Sequence, residues 1–434
     1  MAKIKNLKAR EILNSKGNWT IEAELETEQG VFKASVPSGT SRGKYEAVEV
    51  EAKKAVENIE KIIKPNLKGE DPTDQKRIDT ILIELDGTEN KSKLGGNSLL
   101  AVSVACLRAG AAEKKMSLFQ YIKEIFSKEI FSKSPTNTNR AIAQNLLAVP
   151  RPCFNILNGG VHAGNDLDIQ EFIVVPQRES FKENLRVGVE IYQKLKEILK
   201  KKFGNFAINL GDEGGFAPPL KKTKEALDLI MEAIKKLGYE KEVKIALDCA
   251  ASQFFQEGKY NFEGKEKNEE ELANFYLNLV KQYPVLFFED PFSQEDWQGW
   301  MKISNLKLSG SSKSAERIWG GSQISSLLIV GDDLTVTNPK RIKEAFEKKV
   351  CNGIILKPNQ VGTVTETLEA AKLAKKFGWK IIVSHRSGDT CDDFIADLAV
   401  GVGAGFIKAG APARGERIAK YNRLLKIEEE IIKN

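Results

Sequence analysis

The chain has 434 residues, 41% of them hydrophobic and 29% charged, with a formal net charge of +6. That is the composition of a soluble globular protein, long enough for two or three domains or for a barrel with an extra domain. No apolar run is long enough to span a bilayer, and residues 1–10 alternate Lys and Arg with short apolar residues, without the apolar core of an export signal.

The basic residues are scattered. The densest group is Lys196, Lys200, Lys201 and Lys202. It suits the C-terminus of a solvated helix and lacks the aromatic interleaving of a nucleic-acid surface. Cys106, Cys153, Cys249, Cys351 and Cys391 are odd in number, far apart and never in C-x-x-C spacing. This argues for a reducing compartment and against a disulfide frame or a zinc site.

In chain order, Trp19, Ile21, Ala23 and Leu25 alternate with polar residues as in a half-buried strand, and 31–36 reads as the return strand of a hairpin after Gly30. Helical periodicity follows over about 47–63, 74–85 and 97–115. Strands followed by helices predict a small α+β domain over 1–138. The Ser-, Thr-, Asn- and Pro-rich stretch 132–139 reads as its linker.

Over 139–434 short apolar runs alternate with helical segments, as in a β/α barrel or an open α/β sheet. Eight runs stand out: 152–156, 172–175, 244–247, 285–288, 327–330, 353–356, 380–383 and 405–407. The link between the first two is Gly-rich and has no helical pattern, so this pair is expected to be antiparallel. A ninth run, 206–210, reads as strand or loop.

Polar residues follow one run after another. Asp248 follows the third, Glu289 and Asp290 the fourth, Asp332 and Asp333 the fifth, Lys357 the sixth, the segment Ser384, His385, Arg386, Ser387 the seventh, and Lys408 the eighth. One such residue is commonly a helix cap, but six strands in succession predict a ring at the catalytic face of a barrel. Asp248, Glu289 and Asp332 form a hard-oxygen donor set suited to magnesium. Of the two histidines, His162 falls in the Gly-rich segment 158–165 after the first run and His385 in the polar segment after the seventh. Arg386 with Ser387 suits a phosphate. The turn 211–218 presents Asp212 and Glu213 between glycines.

Ordered blocks along almost the whole chain resemble the enolase family. They are 36–43, 85–95, the His162 segment running on to Gln170 and Glu171, the Glu213 turn, 247–252, 289–292, 331–334, 356–360, 384–388 and 416–422. The resemblance implies an N-terminal α+β cap on a modified TIM barrel whose first strand pair is antiparallel, with 206–210 a loop. It implies the reversible dehydration of 2-phosphoglycerate in the cytoplasm, by a homodimer or higher homo-oligomer, with a further cell-surface or secreted pool.

It further implies that Asp248, Glu289 and Asp332 hold one magnesium ion, and that Ser41 holds a second arriving with substrate. Lys357 is then the base, its pKa lowered by neighbouring cations, and Glu213 is the acid. Glu171 and Gln170 are neighbours of Glu213, and Lys408 is a cation for the substrate carboxylate. Arg386 and Ser387 are phosphate ligands, while His162 and His385 line the pocket.

The sequence departs from the family pattern at 14–19, at Arg42 beside Ser41, at Gln253, and in a longer Ser- and Gly-rich segment at 306–326. A related acid-sugar dehydratase would need no phosphate pair. A non-catalytic binding protein on the same fold would be expected to lack a catalytic group.

Overall fold

The computed structural model describes residues 3–39, 43–131, 148–309 and 326–433. The first layer is a three-stranded antiparallel sheet, β1 (Asn6–Leu13), β2 (Trp19–Thr27) and β3 (Gly30–Ser35). Ile21, Ala23 and Leu25 are buried as the period-two pattern requires. Trp19 is not. It stands at the open end of the β1–β2 ladder opposite Leu13, and the two are 64% and 57% exposed. The strand β1 is additional to the expected hairpin.

The expected helix over 47–63 begins later. Residues 47–51 stay extended, with Ala47 N–H bonded to the Gln360 carbonyl and Val48 N–H to that of Asn90. Helix α1 (Ala52–Asn58) then widens into a π turn, Ile59–Ile63, before α2 (Lys64–Leu67). Pro65 lies just past this turn, where the wider spacing accommodates a residue with no N–H to donate. Helices α3 (Gln75–Asp86) and α4 (Gly96–Glu113) lie close to where periodicity puts them, and α5 (Leu118–Phe131) follows. The linker expected at 132–139 lies outside the described residues.

The eight apolar runs are the eight strands of a closed barrel: β4 (Arg151–Asn158), β5 (Glu171–Pro176), β6 (Val243–Asp248), β10 (Val285–Glu289), β11 (Leu328–Gly331), β12 (Gly353–Leu356), β13 (Lys380–Ser384) and β14 (Phe406–Lys408). A small sheet, β7 (Phe255–Gln256), β8 (Lys259–Phe262) and β9 (Lys265–Lys267), interrupts them. Strand β5 is antiparallel to both β4 and β6, and the other barrel pairs are parallel.

Helices α6 (Phe181–Phe203), α7 (Thr223–Leu237), α8 (Glu269–Gln282), α9 (Trp297–Ser309), α10 (Pro339–Glu347), α11 (Val364–Lys376), α12 (Phe394–Gly401) and α13 (Gly415–Lys433) complete the chain. Lys200, Lys201 and Lys202 fall in the last turn of α6, where cations face the negative end of the helix dipole. The run 206–210 is loop, apart from a 3-10 turn at Asn205–Ile208 and a single bridge from Leu210 to Phe216.

The N-terminal layer is tied to the barrel by a buried acid. Asp79 on α3 accepts from Thr365 N–H (2.8 Å) and Thr365 Oγ1 (2.6 Å) at the start of α11, and from Gln75 Nε2 (3.1 Å) and Ser103 Oγ (2.6 Å). Ser103 Oγ in turn accepts from Val364 N–H (3.0 Å). The substitution Asp79→Ala strands these buried donors and removes a helix cap. It is expected to lower stability by about 2–4 kcal/mol in chemical denaturation; an unchanged midpoint would show that the network contributes nothing net.

Candidate active site

A single period-two rule places the polar residues. Each strand sends at least one apolar side chain to the barrel axis: Cys153, Ile173 and Val175, Ala246, Phe287, Val330, Ile355, Ile382 and Phe406. Alternation along a strand makes the residue two steps on the next to face the axis. Ala246 is thus followed by Asp248, Phe287 by Glu289, Val330 by Asp332, Ile355 by Lys357, Ile382 by Ser384, Phe406 by Lys408 and Cys153 by Asn155. On the reversed strand β5 the step runs backward, from Ile173 to Glu171. Pairing in register makes Glu171, Asp248 and Glu289 lateral neighbours on three adjacent strands.

Lys408 is 1% exposed, and its ammonium binds Asp248 Oδ2 at 3.0 Å, both oxygens of Glu289 at 2.8 Å, and Glu171 Oε2 at 3.2 Å. Burial alone lowers a lysine pKa; here the carboxylates outweigh it and hold Lys408 well above its usual value. Lys357 Nζ binds Asp332 Oδ2. Its pKa is raised in the protein without metal, burial being overcome by Asp332. Glu289 is pushed well up by burial and by Asp248.

On the other side, Glu213 Oε2 accepts from Asn155 Nδ2 and faces His385 Nε2, both at 3.1 Å. His162 Nδ1 stands 3.6 Å from Glu213 and 3.9 Å from Glu171. Burial and the Glu213 charge raise Glu171; Glu213 is held low, its burial outweighed by its contacts with His385, His162 and Lys408. His385 itself is pushed down to about 4 by burial and Arg417, with Glu213 opposing. It is therefore neutral near pH 7 and acts on Glu213 as an N–H donor rather than as a full charge. The glycines of the turn are a packing need: a Cβ at Gly211 would lie 2.6 Å from the His162 carbonyl oxygen.

Arg386 is buried and held by Glu46, with Nη1 to Oε2 at 2.7 Å and Nη2 to Oε1 at 3.2 Å. Gln360 Nε2 donates to Asp332 Oδ1 at 2.9 Å, joining the arginine side of the cavity to the lysine side. The cavity, about 440 Å³ of space with its open mouth included, is lined by Glu46, His162, Gln170, Glu171, Glu213, Asp248, Asp332, Lys357, His385, Arg386, Ser387 and Lys408 among others.

Two sequence models of known families match this chain. The one described as "Enolase, N-terminal domain" covers residues 4–122, and the one described as "Enolase, C-terminal TIM barrel domain" covers 146–434. The chain belongs to the enolase family. Its chemistry is that of the enolase dehydratases, which are lyases acting on small molecules, and the family works with magnesium. Among the described residues no helix is long and apolar enough to cross a membrane.

The donors present fit such an ion. Glu171, Glu213, Asp248, Glu289 and Asp332 are all buried beside the two ammoniums of Lys357 and Lys408. The carboxylates outnumber those cations, and excess buried negative charge calls for a hard divalent cation. Among the described residues, the groups whose ligand atoms already lie within 4.8 Å of one another are His162 with Glu171 and Glu213, and Asp290 with Asp332 and Asp333. The sequence triad is spread wider, with Asp248 and Glu289 sharing Lys408 and Asp332 on Lys357. Asp290 is committed elsewhere, accepting from the backbone N–H groups of Asp332 (2.9 Å) and Asp333 (2.7 Å).

Ser41 and Arg42 lie outside the described residues, as do residues 310–325 of the longer segment. Every other site residue expected from the sequence lines the one cavity or pairs with residues that do. Gln170 Nε2 stands 3.5 Å from Asp248, and both ring nitrogens of His162 have no hydrogen-bond partner among the described residues. Such buried polar atoms are normally satisfied, so the His162 ring is available to a ligand in the cavity. In the departing segment, Lys16 pairs with Asp212 (2.5 Å) and Ser15 Oγ donates to the Ser387 carbonyl (3.2 Å), so it buttresses two site loops. Gln253 is exposed.

Sequence reasoning missed Glu46, Gln360, Asn155 and Arg417. Gln360 and Arg417 stood inside blocks already matched to the family, and Asn155 lies two residues past an inward Cys. Glu46 had no local signal, because its partner is 340 residues away.

The depressed His385 pKa makes a pH prediction. The unfolded chain takes up a proton near 6.5, whereas folded His385 stays neutral down to about 4. Stability from this group is therefore present above pH ~6.5 and lost as pH falls toward 4, by about 2–3 kcal/mol at pH 4.5. In urea denaturation at pH 7 and 4.5, His385→Asn should lack that share of the acid loss. Equal losses in both proteins would contradict a buried neutral His385.

Proposed function

We propose that this protein reversibly dehydrates 2-phospho-D-glycerate to phosphoenolpyruvate and water, the enolase step of glycolysis and gluconeogenesis, in the cytoplasm. The observation that carries the reading is the ring order of the barrel. In the order β10-β11-β12-β13-β14-β4-β5-β6, the strand that ends at Lys357 lies diametrically across from the one that begins at Glu171. A lysine that can serve as a base in its neutral form and a coupled acid pair thus face a small cavity from opposite walls. Between them stand a phosphate-type guanidinium, Arg386, and a carboxylate-type ammonium, Lys408.

The proton on C2 lies next to a carboxylate and is a very weak acid. Its removal puts further negative charge on an anionic group, so stabilisation must act where that charge develops. Lys357 first releases its own ammonium proton to solvent and, as the neutral amine, takes the C2 proton. The electron pair of the C–H bond forms the C2–C3 double bond as the C3–O bond breaks, and the leaving oxygen receives a proton from the Glu213/Glu171 pair and departs as water. In this reading Glu213 faces that oxygen and relays the proton of the pair, with His162 and Gln170 orienting the hydroxyl end of the substrate. Lys408 holds the substrate carboxylate. Arg386, Ser387 and His385 hold the phosphate end.

Asp248, Glu289 and Asp332 would hold magnesium, which would supply positive charge for the substrate carboxylate, and Asp332 would then be shared with the Lys357 ammonium. By the family resemblance two ions serve each site, Ser41 holding the second as it arrives with substrate. We read the chain as two domains, a cap over 1–138 and a catalytic barrel over 139–434.

In deuterated buffer, Lys357→Ala should abolish exchange of the C2 proton with solvent while the far- and near-ultraviolet dichroism stays native. Retained exchange would assign the base to another group.

We also propose a homodimer or higher homo-oligomer. Leu13, Trp19, Phe206 and Leu210 are 45–64% exposed, on two segments joined by the Lys16–Asp212 pair. Large apolar groups gathered on one face suit a second copy. Analytical ultracentrifugation should give at least twice the 48.2 kDa chain mass, and Trp19→Glu should shift it toward the monomer. A single-chain mass for the native protein would reject the assembly.

A further inference from the structure

Arg417, on α13, touches none of the cavity, yet it binds both loops that build it. Its side chain is 0% exposed. Nη1 donates to the Arg386 carbonyl at 2.7 Å, and Nη2 to the carbonyls of Ser387 at 2.7 Å and Asp212 at 3.1 Å. Nη1 also faces His385 Nδ1 within hydrogen-bonding reach. Glu416 Oε1, 3.3 Å from Nε, and Asp389 Oδ2, 3.6 Å from Nη1, balance its charge. Room for the side chain comes from Gly410, where a Cβ would lie 2.8 Å from Arg417 Cδ. One planar cation therefore spans the 385–387 segment and the turn before Glu213.

The chemistry of the pair fixes the proton on the imidazole. A guanidinium offers only donors and does not lose its charge in proteins. Facing it, His385 Nδ1 can serve only as an acceptor, so the ring proton must sit on Nε2. That nitrogen is 3.1 Å from Glu213 Oε2, and its N–H points at the carboxylate. With the proton on Nδ1 instead, the ring would set N–H against N–H on one side and a lone pair against a carboxylate on the other. A lysine in place of Arg417 is a single point charge and cannot reach three carbonyls and the ring together.

We propose that Arg417 is a positioning residue which locks His385 as the neutral Nε2–H tautomer and, through that N–H and the Asp212 carbonyl, fixes the Glu213 carboxylate in the cavity. The kinetic consequence rests on Glu213 serving as the acid of the proposed reaction; the tautomer does not.

The chain has two histidines, so nitrogen-15 labelling of histidine gives two ring systems, and His385→Asn identifies one of them. At pH 7 the native protein should show His385 with a protonated Nε2 and an unprotonated Nδ1. This measurement needs no variant of Arg417, so it stands even if that variant folds poorly. In Arg417→Gln, judged folded by its dichroism, the His385 tautomers should mix. With 2-phosphoglycerate and magnesium, kcat should fall by about 10²-fold with a smaller change in KM, as expected when a reacting group is misplaced rather than substrate binding lost. A native His385 protonated on Nδ1 would overturn the proposal. So would a folded Arg417→Gln with native tautomer or native kcat. A native protein that forms no product would instead reject the proposed reaction and leave the tautomer result to decide this inference.

Discussion

An ammonium taken wholly out of water is tolerated only where carboxylates replace its solvation, and Lys408 meets that demand with Asp248, Glu289 and Glu171. The dependence is mutual. Three acids on adjacent strands could not be buried side by side without a cation among them. Removing the lysine would leave their mutual repulsion unscreened in a medium of low dielectric. The site is thus a balance of opposite charges, with negative charge in excess, that only a closed barrel can hold in so small a volume. That excess is what suits it to a divalent ion and to an anionic substrate together.

The barrel holds this balance through backbone register. An inward apolar residue followed two steps later by an inward polar one is a local rule, repeated on nearly every strand, and it converts a packed core into a ring of functional groups one layer above. The reversal of β5 keeps the rule by running it backward, so that Glu171 joins the same ring. Around the ring, buried arginines do the cross-linking. Arg386 is held by Glu46 from the N-terminal layer, and Arg417 binds carbonyls of two loops. Removing either arginine would free segments that no strand controls.

These facts decide what could be read in advance. The eight strands were legible because each is a short apolar run bounded by polar residues, and Asp248, Glu289, Asp332, Lys357 and Lys408 were legible because they end those runs. Glu213 was legible only beside the family blocks, since a Gly-rich acidic turn is common. The start of the first helix was misplaced because tertiary hydrogen bonds from Asn90 and Gln360 hold 47–51 extended against their periodicity. Trp19 was read as buried because alternation says which face a residue takes, not whether that face is covered at the end of a ladder. Glu46 and Arg417 were illegible as site residues, because their partners are distant in sequence or are backbone carbonyls, which carry no residue identity.

The central claim is that this balance of charge serves the loss of water from 2-phosphoglycerate. It is tested most directly by following the ultraviolet absorbance of the enol product when purified protein is mixed with 2-phosphoglycerate, with magnesium and with magnesium removed by a chelator. The account predicts product with the metal and none without it, restored when magnesium is added back. Folded protein that gives no product in saturating magnesium would contradict it.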